Sequence, residues 1–176
     1  MEYKRKYLCY GSNMNLEQMA YRCPHSKVVG TAMLKDYELE FRGVATIVPK
    51  KGEEVPVIIW EIDQFDEVAL DLYEDFPSLY GKEMFNVEVN GETLECMAYT
   101  MNGGSIAPPS SSYYNTIKRG YEANGLDTSY LKAALERSVE FKQSHKIEIF
   151  DEDQETGISE ENDLFDGDFY SWDSIF

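Results

Sequence analysis

The chain has 176 residues and a formal charge of −17, from 33 acids against 16 bases, with 43% hydrophobic and 14% aromatic residues. That length makes one ordinary domain, or a domain plus a tail, with enough buried surface to fold without disulfide or metal staples. Such acidity repels phosphate backbones and argues against nucleic-acid binding, and no stretch reaches the ~20 apolar residues that span a bilayer.

The three cysteines, Cys9, Cys23 and Cys96, are odd in number and have neither CxxC nor metal-ligand spacing, which fits a reducing compartment. The start, MEYKRKYLCYGS, lacks an apolar run of signal-peptide length, so a cytoplasmic location is expected. Ten of the acids fall in residues 151–176, which hold no Lys or Arg, leaving 23 acids against 16 bases (−7) for residues 1–150. The chain therefore divides into a moderately acidic body, residues 1–145, and an acidic tail, residues 146–176.

In chain order, KYLCY (6–10) predicts a short buried strand running into the turn Gly11-Ser12-Asn13. NLEQMAYR (15–22) is helical, with Leu16, Met19 and Ala20 on one face, and stops at Pro24. YELEFR (37–42) alternates apolar and charged residues as a half-buried strand, and VATIV (44–48) and PVIIWEI (56–62) are β-branched runs. Asp63 caps a helix over about 64–74, whose apolar face is read as Phe65, Val68, Ala69 and Leu72. FNVEV (85–89), the Asn90-Gly91 turn and TLECMAYTM (93–101) make a hairpin. Helices follow at about 111–123, ended by Gly125, and about 128–143. Five or six mostly antiparallel strands with helices inserted between and after them predict an α+β domain, the sheet closing as a small barrel.

Three segments have the residue types for chemistry. Tyr10-Gly11-Ser12-Asn13-Met14 joins a strand to a helix. A glycine there permits close backbone approach, and the free N–H groups of a helix start bind anions. The plainer reading is that Ser12 or Asn13 simply caps the helix. In Asp71-Leu72-Tyr73-Glu74-Asp75-Phe76-Pro77, Glu74 sits near a helix C-terminus among apolar neighbours. Desolvation and the negative helix end both raise a carboxyl pKa, which suits a group that takes and returns a proton. The plainer reading is a surface acid. In Ala107-Pro108-Pro109-Ser110 through Tyr113-Tyr114, the prolines stiffen a helix approach, and the tyrosines either line a pocket or pack in the core.

Other classes lack support. No GxGxxG or GxxxxGK[ST] is present, and His25 and His145, both read as exposed, have no HExxH or Cys/His ligand spacing. No metal or cofactor is expected.

Taken together, the segments resemble the γ-glutamyl cyclotransferase family. The match runs in order through YGSNM (10–14) with Arg22 and Pro24, GVATIVP (43–49), VIIWEID (57–63), LDLYEDFPSLY (70–80), ECMAYTM (95–101) and APPSSSYYNTIKRGYEANGL (107–126). The resemblance implies a small mixed, mostly antiparallel barrel with flanking helices and an enzyme that turns γ-glutamyl compounds into 5-oxoproline and a free amine. It places the catalytic acid/base on Glu74, the substrate-cradling loop on Tyr10, Gly11, Ser12 and Asn13, and pocket-lining tyrosines at Tyr80 and Tyr113. Relatives often carry Gly where this chain has Asp75. That second carboxylate either raises the pKa of Glu74 further or points to solvent. The family's branches differ in the amine released, which is an amino acid, ε-lysine, the glutathione remainder or a larger amine.

The tail mixes its charge with Leu164, Phe165, Phe169, Tyr170, Trp172, Ile175 and Phe176, more aromatics than a purely solvating tail carries. It either folds back on the body or on a second copy in a homodimer, or docks on another partner. A second reading of the whole chain is a non-catalytic binding module of the same fold that senses a γ-glutamyl or amine ligand. A third is an interaction protein acting through the tail.

Overall fold

The computed structural model of the chain describes residues 3–156, with side chains described through residue 145. Residues 157–176, and with them the aromatic part of the tail, lie outside the described residues. Five strands, β1 (Arg5–Cys9), β2 (Lys27–Phe41), β3 (Ala45–Ile62), β4 (Tyr80–Val89) and β5 (Glu92–Met101), form one sheet in the order β2-β3-β1-β5-β4. Four helices accompany it: α1 (Leu16–Arg22), α2 (Gln64–Tyr73), α3 (Ser111–Ala123) and α4 (Ser129–Thr156). A 3-10 turn over Ser12–Met14 follows β1. The α+β class holds, with a sheet that is antiparallel except where β1 runs parallel to β5.

The expected barrel needs correction, because the sheet does not close. Its edges, β2 and β4, approach each other through side chains and not through a ladder. Tyr37 and Phe85 meet edge to face with ring centroids 5.4 Å apart. A Cβ on Gly30 would lie 2.8 Å from Val89 Cγ1. Sheet twist brings the edges together, but the aromatic and valine side chains fill the gap and keep the backbones from bonding.

The strands are longer than the sequence pattern suggested. The runs at 44–48 and 56–62 belong to one strand, β3, paired along its length with a β2 that begins at Lys27 and not at Tyr37. The register jumps between Lys35 and Tyr37, where Asp36 has φ 63° and residues 50–53 of β3 bulge outward. Asp36 Oδ1 accepts from Gly52 N at 2.9 Å to pin that bulge. The hairpin at Asn90-Gly91 has φ 51° and 85° at its two turn residues, as an Asn-Gly turn requires.

The largest correction concerns α2. Phe65, Val68 and Leu72 are 67%, 59% and 80% exposed, while Asp66, Glu67 and Leu70 are buried. The acids go inward because each has partners. Asp63 and Asp66 form a reciprocal capping box, and Glu67 receives Arg5, Lys82 and the Tyr3 hydroxyl. This inward acidic face turns the last residue after α2, Glu74, toward the centre of the sheet.

Candidate active site

β1 is the middle strand, so its carboxyl end opens over the centre of the sheet, beside the end of the parallel strand β5. The chain leaves β1 through Tyr10 into the 3-10 turn, where Met14 N and Asn15 N donate to Gly11 O and Ser12 O, each at 3.0 Å. The N–H groups of Ser12 and Asn13 are not consumed by that turn. Asn15, not Ser12 or Asn13, caps α1, its Oδ1 accepting from Gln18 N at 3.1 Å. The plainer capping reading therefore fails for both residues, whose side chains are occupied otherwise.

α3 presses on this turn from outside. A Cβ on Gly120 would stand 2.6 Å from the Met14 carbonyl carbon and 2.9 Å from Asn15 N, so only glycine allows the approach. Gly11 faces the inner side, where an added Cβ would sit 3.3 Å from Ala45 Cβ and 3.4 Å from the Tyr113 hydroxyl.

Between these elements lies a cleft of about 290 Å³. All seven residues singled out from the sequence line it: Tyr10, Gly11, Ser12, Asn13, Glu74, Tyr80 and Tyr113. The structure adds Tyr7 from β1 and Tyr99 from β5, which the sequence reading did not single out. Their rings pack edge to face at 5.8 Å. Only their place on adjacent parallel strands could have signalled them, and that pairing is not visible in the sequence. Tyr114, the neighbour of Tyr113, points instead to the core against Phe41.

The hydroxyls are well anchored. Tyr10 donates to Tyr99 O, Tyr80 to Ala45 O at 2.7 Å, and Tyr113 accepts from Ala45 N at 3.2 Å. Ser12 Oγ and the Tyr73 hydroxyl are 2.9 Å apart. Burial pushes Tyr7, Tyr10, Tyr80 and Tyr99 well above the usual phenol value, and Tyr113 up to about 12. The phenols therefore stay neutral hydrogen-bonding groups at physiological pH.

Glu74 is the C-cap of α2, its N–H donating to Leu70 O at 2.8 Å. Its Oε1 accepts from Asn13 Nδ2 at 2.7 Å, and the same nitrogen donates to the Tyr7 hydroxyl at 2.8 Å. Glu74 Oε2 has no hydrogen-bond partner among the described residues. Burial lifts the carboxyl to about 7, against opposing pulls from Arg22 and from the Asn13 hydrogen bond. The apolar neighbours in sequence, Leu72, Tyr73, Phe76 and Leu79, are all exposed, and none of them lines the cleft. The tyrosine walls and the sheet desolvate it instead. A carboxyl held in this way can take up and release a proton near neutral pH.

Asp75 resolves the alternative left by the sequence: it is exposed, and it is absent from the groups that act on Glu74. Its φ of 49° lies in the left-handed region, which glycine adopts freely and Asp tolerates better than most other residues.

The comparison with known proteins converges on the same segments. The family model described as "Gamma-glutamyl cyclotransferase, AIG2-like" matches residues 7–120. The chain belongs to the γ-glutamyl cyclotransferase, AIG2-like family. A human γ-glutamylcyclotransferase is 31% identical over 161 residues, covering 81% of this chain and 85% of that protein. The bovine γ-glutamylcyclotransferase is 30% identical over 140 residues, covering 72% and 74%. A solved structure of a γ-glutamyl cyclotransferase superposes with a TM-score of 0.68 at 27% identity, covering 74% of this chain and 86% of that one. The family match begins at Tyr7, so the cleft residues from β1 to α3 all fall within it.

Outside the cleft, His25, Asp63 and Asp66 cluster at the N-terminus of α2. Both carboxylates already accept backbone N–H groups of the cap, and the positive end of the helix opposes a cation there. No helix among the described residues is long and apolar enough to cross a membrane.

Proposed function

We propose that this chain is a γ-glutamyl cyclotransferase that releases 5-oxoproline and a free amine, with Glu74 as the general acid/base. One observation carries the reading: a single carboxyl, lifted to about 7, lines a small cleft whose other polar side chains are an amide and neutral hydroxyls. The reaction needs little else. The substrate's α-amine attacks its own γ-carbonyl, forming the ring C–N bond, and the bond to the leaving amine breaks. The α-ammonium sheds two protons on becoming the ring N–H, and the leaving nitrogen gains two on becoming an ammonium. Glu74 relays them one at a time, taking each from the attacking nitrogen and passing it to the leaving one, and ends the cycle as the carboxylate.

Ring closure is intramolecular, so side chains that hold the γ-glutamyl chain folded in the cleft supply much of the acceleration. The N–H groups of Ser12 and Asn13, with Gly11 letting the ligand approach, are suited to the α-carboxylate or the developing oxyanion. Tyr10, Tyr80 and Tyr113 then form neutral walls with hydroxyls at fixed positions. The amine released is an amino acid, ε-lysine, the glutathione remainder or a larger amine.

The test is 5-oxoproline release from γ-glutamyl amino acids, γ-glutamyl-ε-lysine and glutathione, beside a Glu74→Gln control. Product that disappears in the variant supports the reading. No product from any substrate, with the protein folded, points to the binding-module reading.

A further inference from the structure

Arg22 closes α1 and does not itself line the cleft, yet it reaches the residue that touches Glu74. Its Nη1 donates to Asn13 Oδ1. Its guanidinium lies 3.3 Å from the centroid of the Tyr73 ring, and the Tyr73 hydroxyl is bound to Ser12. The arginine thus ties the end of α1 to the end of α2 and to both sides of the 10–13 loop.

The consequence lies in the chemistry of the amide. A guanidinium offers donors only, so it can meet Asn13 through Oδ1 alone. That forces Nδ2 the other way, onto Glu74 Oε1 and the Tyr7 hydroxyl. Without this constraint the amide can turn over and present Oδ1 to Glu74. A carboxylic acid donates to an amide oxygen, so the flipped amide favours the protonated acid, whereas the observed amide favours the carboxylate. We propose that Arg22 is a positioning residue of the site, fixing the Asn13 amide in the one orientation that makes Glu74 a base. This rests on the cyclotransferase reading for its functional meaning.

The other titratable groups around Glu74 do not compete for this role. Tyr7 and Cys9 of β1, Tyr10, Tyr80 of β4, Tyr99 of β5 and Tyr113 of α3 are all held neutral by burial. Asp71 and Glu67, one and two turns earlier on α2, are tied to Lys82 at 2.6 and 2.7 Å. Among the described residues Arg22 is the one cation that acts on the Glu74 carboxyl. Lysine supplies the same charge but not the planar fork and ring stacking, so Arg22→Lys separates charge from orientation.

The experiment compares the parent with Arg22→Gln and Arg22→Lys. It measures kcat and KM against pH on the best γ-glutamyl substrate. It also follows the Glu74 carboxyl directly, by carbon NMR in the ligand-free protein, with Glu74→Gln identifying the resonance. For Arg22→Gln we expect kcat to fall ~10- to 100-fold, KM to stay within about twofold, and the carboxyl to titrate at higher pH. Arg22→Lys restores part of the titration but not the rate, and it carries the test alone should the glutamine variant not fold.

A raised KM with unchanged kcat and an unmoved titration would overturn the proposal and make Arg22 a substrate anchor. So would variants that match the parent throughout. If the parent turns over no γ-glutamyl substrate, the cyclotransferase reading falls, and the NMR titration alone still decides whether Arg22 orients Asn13.

Discussion

The α-carbon of Gly120 in α3 lies so close to Met14 that an added methyl would stand 2.6 Å from the Met14 carbonyl carbon and 2.8 Å from its oxygen. Both obstacles are backbone, and Asn13, the partner of Glu74, is the preceding residue. In an exposed helix, replacing glycine by alanine stabilises by about 1 kcal/mol. Here we predict the opposite sign. Gly120→Ala should cost about 1–3 kcal/mol in denaturant unfolding and lower kcat/KM at least ~10-fold as the loop shifts away from Glu74. An equal or raised unfolding midpoint would show that the contact yields easily.

With Glu74 in the proposed general-base role, its ionisation sets the acid limb of activity. The base form is the carboxylate, and burial sets its ionisation at about 7. We predict that kcat/KM for a γ-glutamyl substrate rises roughly tenfold per pH unit below that value and levels off above it. A limb centred near 4.5, the ordinary value, would mean that a different group or a solvated carboxyl does the work.

The same burial sets a stability cost of opposite direction. Unfolded, Glu74 ionises near 4.5, and folded near 7. Across that window the native state holds more protons than the unfolded state, so its contribution to stability falls as pH rises and is lost above about 7. Glu74→Gln removes the titration. The variant should match the parent near pH 4 and exceed it at pH 8 by up to about 3 kcal/mol, read from urea unfolding at both pH values. A pH-independent difference would contradict the burial described here.

Lys82 holds Glu67 at 2.7 Å and Asp71 at 2.6 Å and lies 4.6 Å from the centroid of Phe76. Asp71 in turn receives the Tyr99 hydroxyl. Lys82, Glu67 and Asp71 keep some water contact, which discounts the full cost of breaking a buried pair. We predict that Lys82→Met destabilises by about 1–2 kcal/mol and that Tyr99→Phe in that background adds less than it does alone. Additive losses in the double-mutant cycle would show that the groups do not act together.

Much of the site was legible because its residues lie in short segments with strong local rules. The Gly-Ser-Asn turn after β1, the helix ending at Glu74 and the prolines before Tyr113 each have a local signal. What stayed hidden depended on partners distant in sequence. Phe65, Val68 and Leu72 have helical spacing, and the pattern rule puts them inward. Arg5 and Lys82, from other strands, bring Glu67 inward instead, and the capping box buries Asp66. The first half of β2, VVGTAMLKD, lacks alternation and contains Gly30, so only its pairing with β3 identifies it as strand. Tyr7 and Tyr99 reach the cleft because β1 and β5 are parallel neighbours, and no spacing along the chain encodes that adjacency. The acidic-aromatic reading of residues 164–176 lies outside the described residues.

The cleft draws on β1, the turn after it, the end of α2, β4, β5 and α3, so no fragment shorter than residues 7–113 contains it. β2 and β3 pair with each other locally, and so do β4 and β5, whereas β1 joins the two halves and α3 is the last of the cleft's elements along the chain. Local hairpins close early and long-range pairings late. In refolding, sheet circular dichroism should therefore recover ahead of γ-glutamyl turnover, and the interval between them measures the time needed to seat β1 between the halves and α3 against the 10–13 loop.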